Sequence, residues 1–214
     1  MNEKIAFIGV GNMAHAIING ILKNSSDFTS NDIILYDKFP SQLADYPSIK
    51  AASSASDAVK NADFVVFAVK PQNFDELLNE LKNILLNYEY DVLALTGDIY
   101  DRAVPSPEAV ELFDSFLTEL HAKKPKLSIM IISGNHDSAK RLSFASKLLS
   151  SNNIYICAES DIEKIINQKP ITITDSKNFQ CDFYLLPFVY AEDIKKFAET
   201  VNPSKEKPAI LFSH

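Results

Sequence analysis

Cysteine is scarce in this 214-residue chain: Cys157 and Cys181 are the only two, far apart and without metal-type spacing. That excludes a disulfide-stapled scaffold and a thiolate zinc cluster, and it suits a reducing, cytoplasmic compartment with both residues as small core side chains. Long hydrophobic runs are missing too. No apolar stretch approaches the ~20 residues that span a bilayer, so no membrane partner is expected. The opening Met1-Asn2-Glu3-Lys4 runs straight into a strand-like segment, without the length or cleavage pattern of a signal peptide. Basic excess is also absent. The formal net charge is −7, shared between both halves, which argues against tight DNA binding by this chain alone. A nuclease is not thereby excluded, because bound metal ions supply local positive charge. Glycine is sparse, with five residues in all, and no segment reads as a linker, a repeat or a low-complexity tract.

What is present is an alternation of strand and helix signals. Lys4–Gly9 is a short apolar run ending in glycine and reads as a buried strand. Met13, Ile17, Ile18, Ile21 and Leu22 follow at helical spacing as one apolar stripe. Asp32–Asp37 and Phe64–Val69 read as further strands, with a short helix over Ser54–Ala62 between them. After Pro71, Asn73 can cap a helix with Glu76 three residues on, and Phe74, Leu77, Leu78, Leu81, Ile84 and Leu85 line one face. Asp91–Thr96 and Leu127–Ile132 continue as strands. Ser106-Pro107 starts the helix between them, and Ala139–Leu149 reads as helical. Short strands then dominate: Ile154–Cys157, Ile171–Thr174, Phe183–Leu186 and Ala209–Phe212. The pattern predicts an α/β fold, a doubly wound and largely parallel Rossmann-like sheet merging into a more antiparallel layer.

Gly9-Val10-Gly11-Asn12-Met13-Ala14 lies between the first strand and the first helix, where a dinucleotide fingerprint belongs. Gly9 permits the tight turn, Gly11 lets backbone approach a pyrophosphate, and Ala14 keeps the helix close to the strand. The amides at the helix start would face the phosphates. A glycine turn without ligand fits the same pattern. Asp37, 28 positions after Gly9, would bond a ribose hydroxyl and favour NAD. Lys38 would instead meet a 2′-phosphate and favour NADP. Both residues equally suit a solvated turn.

These residues resemble a known family. Lys4-Ile-Ala-Phe-Ile-Gly-Val-Gly-Asn-Met-Ala14, Ala16-Ile-Ile18 and Phe67-Ala-Val-Lys-Pro-Gln72 look like the amino-terminal domain of pyrroline-5-carboxylate reductase, over about residues 1–86. The resemblance implies an NAD(P)H site built from Gly9, Gly11, Asn12, Met13 and Ala14, with Ala68, Val69, Lys70 and Pro71 lining the nicotinamide side. The helical domain that forms that family's dimer and much of its substrate pocket has no counterpart here, so hydride transfer to pyrroline carboxylate is not expected.

A second constellation follows. Gly97-Asp98-Ile99-Tyr100-Asp101-Arg102 comes after one strand and Gly134-Asn135-His136-Asp137 after the next, where α/β sheets place ligands. Asp98 offers a carboxylate able to bridge two cations, Asn135 a neutral carbonyl oxygen, and His136 an imidazole that donates a proton or stabilises a phosphoryl oxygen. Asp137 would orient His136 by accepting its other ring proton. Two metals with such a histidine suit in-line phosphodiester hydrolysis. Each motif alone also reads as a turn with a helix cap.

Tyr90–Arg102, Ile132–Ser138, Leu185-Leu-Pro-Phe188 and Ile210-Leu-Phe-Ser-His214 resemble calcineurin-like metallophosphoesterases of the SbcD nuclease type, over roughly residues 87–214. The likeness implies that Asp98 is the bridging ligand and Asn135 and His214 ligands of the second metal, with His136 acting on the transition state. The family's opening Asp-x-His and closing Gly-His-x-His motifs have no counterpart, so a half-built site binding Mn²⁺ weakly is expected, with weak action on DNA phosphodiesters. An ATPase partner of the SbcC type is not expected, because the docking region is absent.

Two likenesses in one chain imply a fusion of partial reductase and partial nuclease, 1–86 and 87–214, with little or no complete catalytic activity. The alternatives are an NAD(P)-binding module, or a folded chimera, engineered or misjoined, without function. Because the helix stripe from Phe74 runs unbroken toward the strand at Asp91, one sheet shared by both parts is expected.

Overall fold

The computed structural model describes residues 3–24, 28–60, 62–68, 74–175, 178–204 and 206–214. The chain divides into two compact units, Met1–Tyr88 and Glu89–His214.

In the first unit the elements are β1 (Ile5–Ile8), α1 (Asn12–Asn24), β2 (Ile33–Tyr36), β3 (Lys50–Ala51), α2 (Ala55–Val59), β4 (Phe64–Phe67) and α3 (Phe74–Asn87). The strands form one sheet in the order β3-β2-β1-β4, parallel throughout. β1 is central and buried along its whole length, as expected of a parallel strand covered on both faces. Alternation along the strand sends Ile5 and Phe7 to one face, where they pack with Val10, Ala14 and Ile18 of the turn and α1 and with Ile33 and Leu35 of β2. Burying each such large apolar side chain contributes roughly 1.5–3 kcal/mol. The opposite face is covered by α2, whose N-cap Ser54 accepts the Asp57 amide, and the Tyr88 hydroxyl at the end of α3 donates to the Ser56 carbonyl at 3.1 Å.

The expected α1 stripe is only partly a core face. Ile18 is buried, but Met13 is 66% exposed and Ile17 and Leu22 are also exposed. Ala14 and Ile18 carry the packing, because residues four apart stack on one side of the helix whereas Met13 and Ile17 fall on the next row. In α3, Leu81, Ile84 and Leu85 are buried as expected. The expected cap Asn73 and the Phe74 and Leu77 side chains lie outside the described residues.

The second unit comprises β5 (Val92–Thr96), α4 (Pro107–Lys123), β6 (Ser128–Ile132), α5 (Ala139–Leu142), α6 (Ser146–Leu149), β7 (Ile154–Cys157), α7 (Ile162–Ile166), β8 (Ile171–Thr174), β9 (Gln180–Leu186), α8 (Ala191–Thr200) and β10 (Ala209–Ser213). β5-β6-β7 form a parallel sheet with β6 buried throughout. β10-β9-β8 form another, in which β9 runs parallel to β10 and antiparallel to β8. α4 starts as its residues dictate: the Ser106 side chain accepts the Ala109 amide and Pro107 occupies the first turn. The single helix expected over 139–149 is broken into two short turns, because Ala145 adopts a left-handed φ of 57°.

The described strands therefore fall into three sheets, not the one continuous sheet expected. Burial follows the same division. β4 leaves Phe64 exposed and its other residues half-buried, and in β5 only Leu93 is fully buried. Both are edge strands, unlike β1 and β6, and an apolar run that reads as central need not be so.

In the second sheet of this unit, buried Asp182 on β9 accepts a hydrogen bond from Thr172 Oγ1 at 2.6 Å and pairs with Lys207 at 2.8 Å. The Lys207 and Thr172 hydrogen bonds hold its carboxyl below the ordinary value of 3.8. A depressed carboxyl stabilises the fold above its unfolded pKa, and that stability is lost as pH falls through the folded value. Melting temperature should therefore drop more steeply on acidification below about pH 4 in the native chain than in Asp182→Asn. Equal slopes would contradict the assignment.

Candidate functional sites

In the first unit, Gly9 closes the turn after β1 with φ +87°, a conformation that costs other residues about 1–2 kcal/mol. Its amide donates to the Tyr36 carbonyl at 2.8 Å, and α1 begins with the His15 amide donating to the Gly11 carbonyl at 2.9 Å. A Cβ at Gly11 would meet nothing within 4 Å, so the space over the turn is open. Asn12 and Met13 are exposed there, and Ala14 is fully buried against the sheet. Ala68 follows β4, its amide donating to the Ile8 carbonyl at 2.8 Å, which brings it to the end of β1 where the turn begins. Val69, Lys70 and Pro71 lie outside the described residues.

Asp37 is committed locally. One carboxylate oxygen accepts the Val10 amide at 2.7 Å, inside the glycine turn, and the other accepts the Phe39 amide at 2.8 Å. Each oxygen keeps a second lone pair for a ligand hydroxyl, so Asp37 braces the turn whether or not a ribose is bound.

In the second unit, the ends of β5, β6 and β10 bring together Asp98, Asn135 and His214, residues up to 116 positions apart in sequence. The His214 ring nitrogen Nδ1 lies 2.9 Å from the Thr96 carbonyl, and Nε2 lies 3.0 Å from Asn135 Oδ1 and 3.7 Å from Asp98 Oδ1. A carbonyl only accepts, so Nδ1 carries a proton, and in a neutral ring the Nε2 lone pair would face two oxygens. A second ring proton or a cation resolves this crowding of lone pairs. The donor set, one carboxylate, one amide oxygen and one imidazole, fits a divalent ion in part only. Among the described residues no group of three or more His, Cys, Asp and Glu side chains is gathered for a metal.

The site depends on two close approaches. Gly97 has φ +98°, and a Cβ there would overlap the His214 ring, lying 2.7 Å from its Cγ. A Cβ on Gly134 would overlap the Asp98 backbone nitrogen and lie 2.8 Å from its Cγ. Asp98 itself adopts a left-handed φ of 48°, a conformation that aspartate tolerates better than most residues. Its Oδ1 accepts the His136 amide at 3.1 Å.

Asp137 does not orient the His136 ring as expected. Its carboxylate accepts three backbone amides, from Gly134 at 2.8 Å, Ile99 at 3.1 Å and Tyr100 at 2.9 Å, and so ties the two motif loops together. The partner of His136 Nδ1 is the Asp101 carbonyl at 2.9 Å. That hydrogen bond, followed by the charge of Asp98, pushes the His136 imidazole above its ordinary 6.5. The residue-type pattern contained no signal for the carbonyls of Thr96 and Asp101; Phe188, which ends one of the segments carrying the nuclease likeness, meets the His214 ring edge-on at 6.1 Å.

Residues 4–87 match the family model described as NADP oxidoreductase coenzyme F420-dependent. The D component of the SbcCD nuclease from Staphylococcus epidermidis is 30% identical over 132 residues, covering 58% of this chain and 33% of that protein. The Staphylococcus saprophyticus counterpart is 31% identical over 107 residues, covering 50% and 26%. The chain thus spans a third or less of the length of these curated relatives. Among solved structures, a pyrroline-5-carboxylate reductase from Coxiella burnetii aligns with all of this chain and 60% of its own, at 18% identity and a TM-score of 0.39. Among the described residues no helix is long and apolar enough to cross a membrane. The chain joins a first part similar to the family described as NADP oxidoreductase coenzyme F420-dependent to a second part similar to the D component of the SbcCD nuclease.

Proposed function

We propose that the first unit is a nicotinamide-dinucleotide-binding module. The observation that carries this reading is the open glycine turn: Gly9 in a left-handed conformation, free space over Gly11, and the start of α1 exposed above it. Backbone amides at such a helix start favour the pyrophosphate. Gly9, Gly11, Asn12, Met13 and Ala14 would form the cradle, with Ala68 on the nicotinamide side; Val69, Lys70 and Pro71, outside the described residues, are assigned to that side by family likeness alone. The match of residues 4–87 to an NADP oxidoreductase family supports NADP over NAD. Titration of NADPH, followed by its fluorescence, tests this. Gly11→Ala should weaken binding at least tenfold, since its methyl enters the ligand's space, while the thermal unfolding midpoint stays unchanged. Binding unaffected by Gly11→Ala would overturn the reading.

A second reading rests on a separate observation, the convergence of Asp98, Asn135 and His214. The second unit carries part of a phosphodiester-cleaving centre of the SbcD type. A Mn²⁺ ion there would be held by these three residues and would polarise a phosphoryl oxygen. His136, its Nδ1 fixed on Asp101, would donate a proton to or hydrogen-bond the phosphoryl group. With three donors, two of them neutral, turnover of a DNA phosphodiester is expected to be slow. Hydrolysis of bis(p-nitrophenyl) phosphate in Mn²⁺ that is lost in both Asp98→Ala and His136→Ala would support it. Hydrolysis retained in these variants would sink it. On these two readings the chain joins a dinucleotide-binding part to a phosphoesterase-like part.

A further inference from the structure

Away from the motif loops, the second unit holds a half-open cavity of about 220 Å³. Its walls come from β7, α7, β9 and α8, and its mouth from α6 and the segment leading into β8. Ile165, Phe183 and Phe197 form a buried apolar floor. An apolar cavity of ~150 Å³ accepts a ligand as large as benzene, so this one has room for a short apolar tail.

The polar part of the wall is not symmetric in charge. Lys147 and Lys169 line the cavity and are exposed. The nearby acids are already used: Glu159 and Asp161 pair with Lys164, and Glu163 pairs with Lys196. Among the described residues neither Lys147 nor Lys169 has an ion-pair partner. Gln168, also in the wall, accepts the Cys157 thiol at 3.3 Å through Oε1. That contact turns its amide nitrogen, a donor, away from the thiol.

We propose that this cavity binds a small amphipathic carboxylate, its apolar tail on Ile165, Phe183 and Phe197 and its head between Lys147, Lys169 and the Gln168 amide. Apolar walls with a few convergent polar groups are the ordinary make-up of a small-ligand site. A cationic mouth over an apolar floor selects an anion with a tail against both a neutral tail and a bare anion.

Calorimetric titration of the full chain with octanoate tests this, with 1-octanol and acetate as the tail-only and head-only controls. Saturable binding of octanoate is expected, at least tenfold tighter than either control and weakened at least tenfold in the surface variant Lys147→Glu/Lys169→Glu. Methyl resonances of Ile165 should shift on binding. Three results overturn the proposal: no saturable octanoate binding up to millimolar concentration, equal affinity for octanol, or an unaltered affinity in the double lysine variant.

Discussion

Gly134→Ala is expected to destabilise the second unit by roughly 2–3 kcal/mol, the upper part of the range for forcing extra atoms into a packed site, and to remove any divalent-cation binding there. The reason is geometric. The added methyl would overlap the backbone nitrogen of Asp98, and backbone cannot rotate aside as a side-chain tip can. Asp98 is already held at a left-handed φ and receives the His136 amide on its Oδ1, so a shift of this loop displaces the carboxylate and frees His136 together. Urea unfolding and Mn²⁺ calorimetry on the same preparation measure both effects. Gly97→Ala makes the contrast: much of its clash is with the His214 ring, which can swing out, so cation binding should fall while stability drops mainly by the ~1–2 kcal/mol of backbone strain. A Gly134→Ala chain as stable as the native one would show that the two loops do not pack as described.

The second large effect belongs to Asp137. Its carboxylate accepts three amides from the two motif loops, and Asp137→Ala leaves all three without their partner. Hydrogen bonds to a charged group contribute about 1.5–3 kcal/mol each and do not simply add, so a loss of roughly 3–5 kcal/mol is expected. Asp137→Asn keeps the shape, and one amide oxygen can still accept, so it should lose about half as much. Stability from urea unfolding decides the matter. If Asp137→Ala abolished phosphodiester hydrolysis while leaving stability intact, Asp137 would act on the chemistry and not as a brace between loops.

The Asp137 result shows where reading residue types runs short. An aspartate beside a histidine is chemically suited to orient it, but successive side chains leave a loop in different directions, and this carboxylate turns back onto amides 37 and 38 positions away. The histidine found a carbonyl instead. The same limit applies to α1, where periodicity marked five apolar residues as one stripe and the sheet covers only part of it. β4 is a third case: its run of Phe and Val has the composition of a buried strand, but strand position in a sheet is set by pairing with distant segments.

Most locally encoded features were legible, the break at Ala145 excepted. The Gly9–Ala14 turn sits between β1 and α1 because glycine tolerates the left-handed backbone there. The Ser106-Pro107 start of α4 follows from side-chain capping within a few residues, and most strands occupy the segments their apolar runs mark. The identity of Asp98, Asn135 and His214 as partners also came from sequence, through family likeness. What only the tertiary structure decided is long-range: which strands pair into which of three sheets, which oxygens face the His214 lone pair, what Asp137 holds, and that a cavity with two lysines at its mouth lies between β7 and β9. Those depend on how segments far apart in the chain pack, and packing is a property of the whole unit that no short window of residues contains.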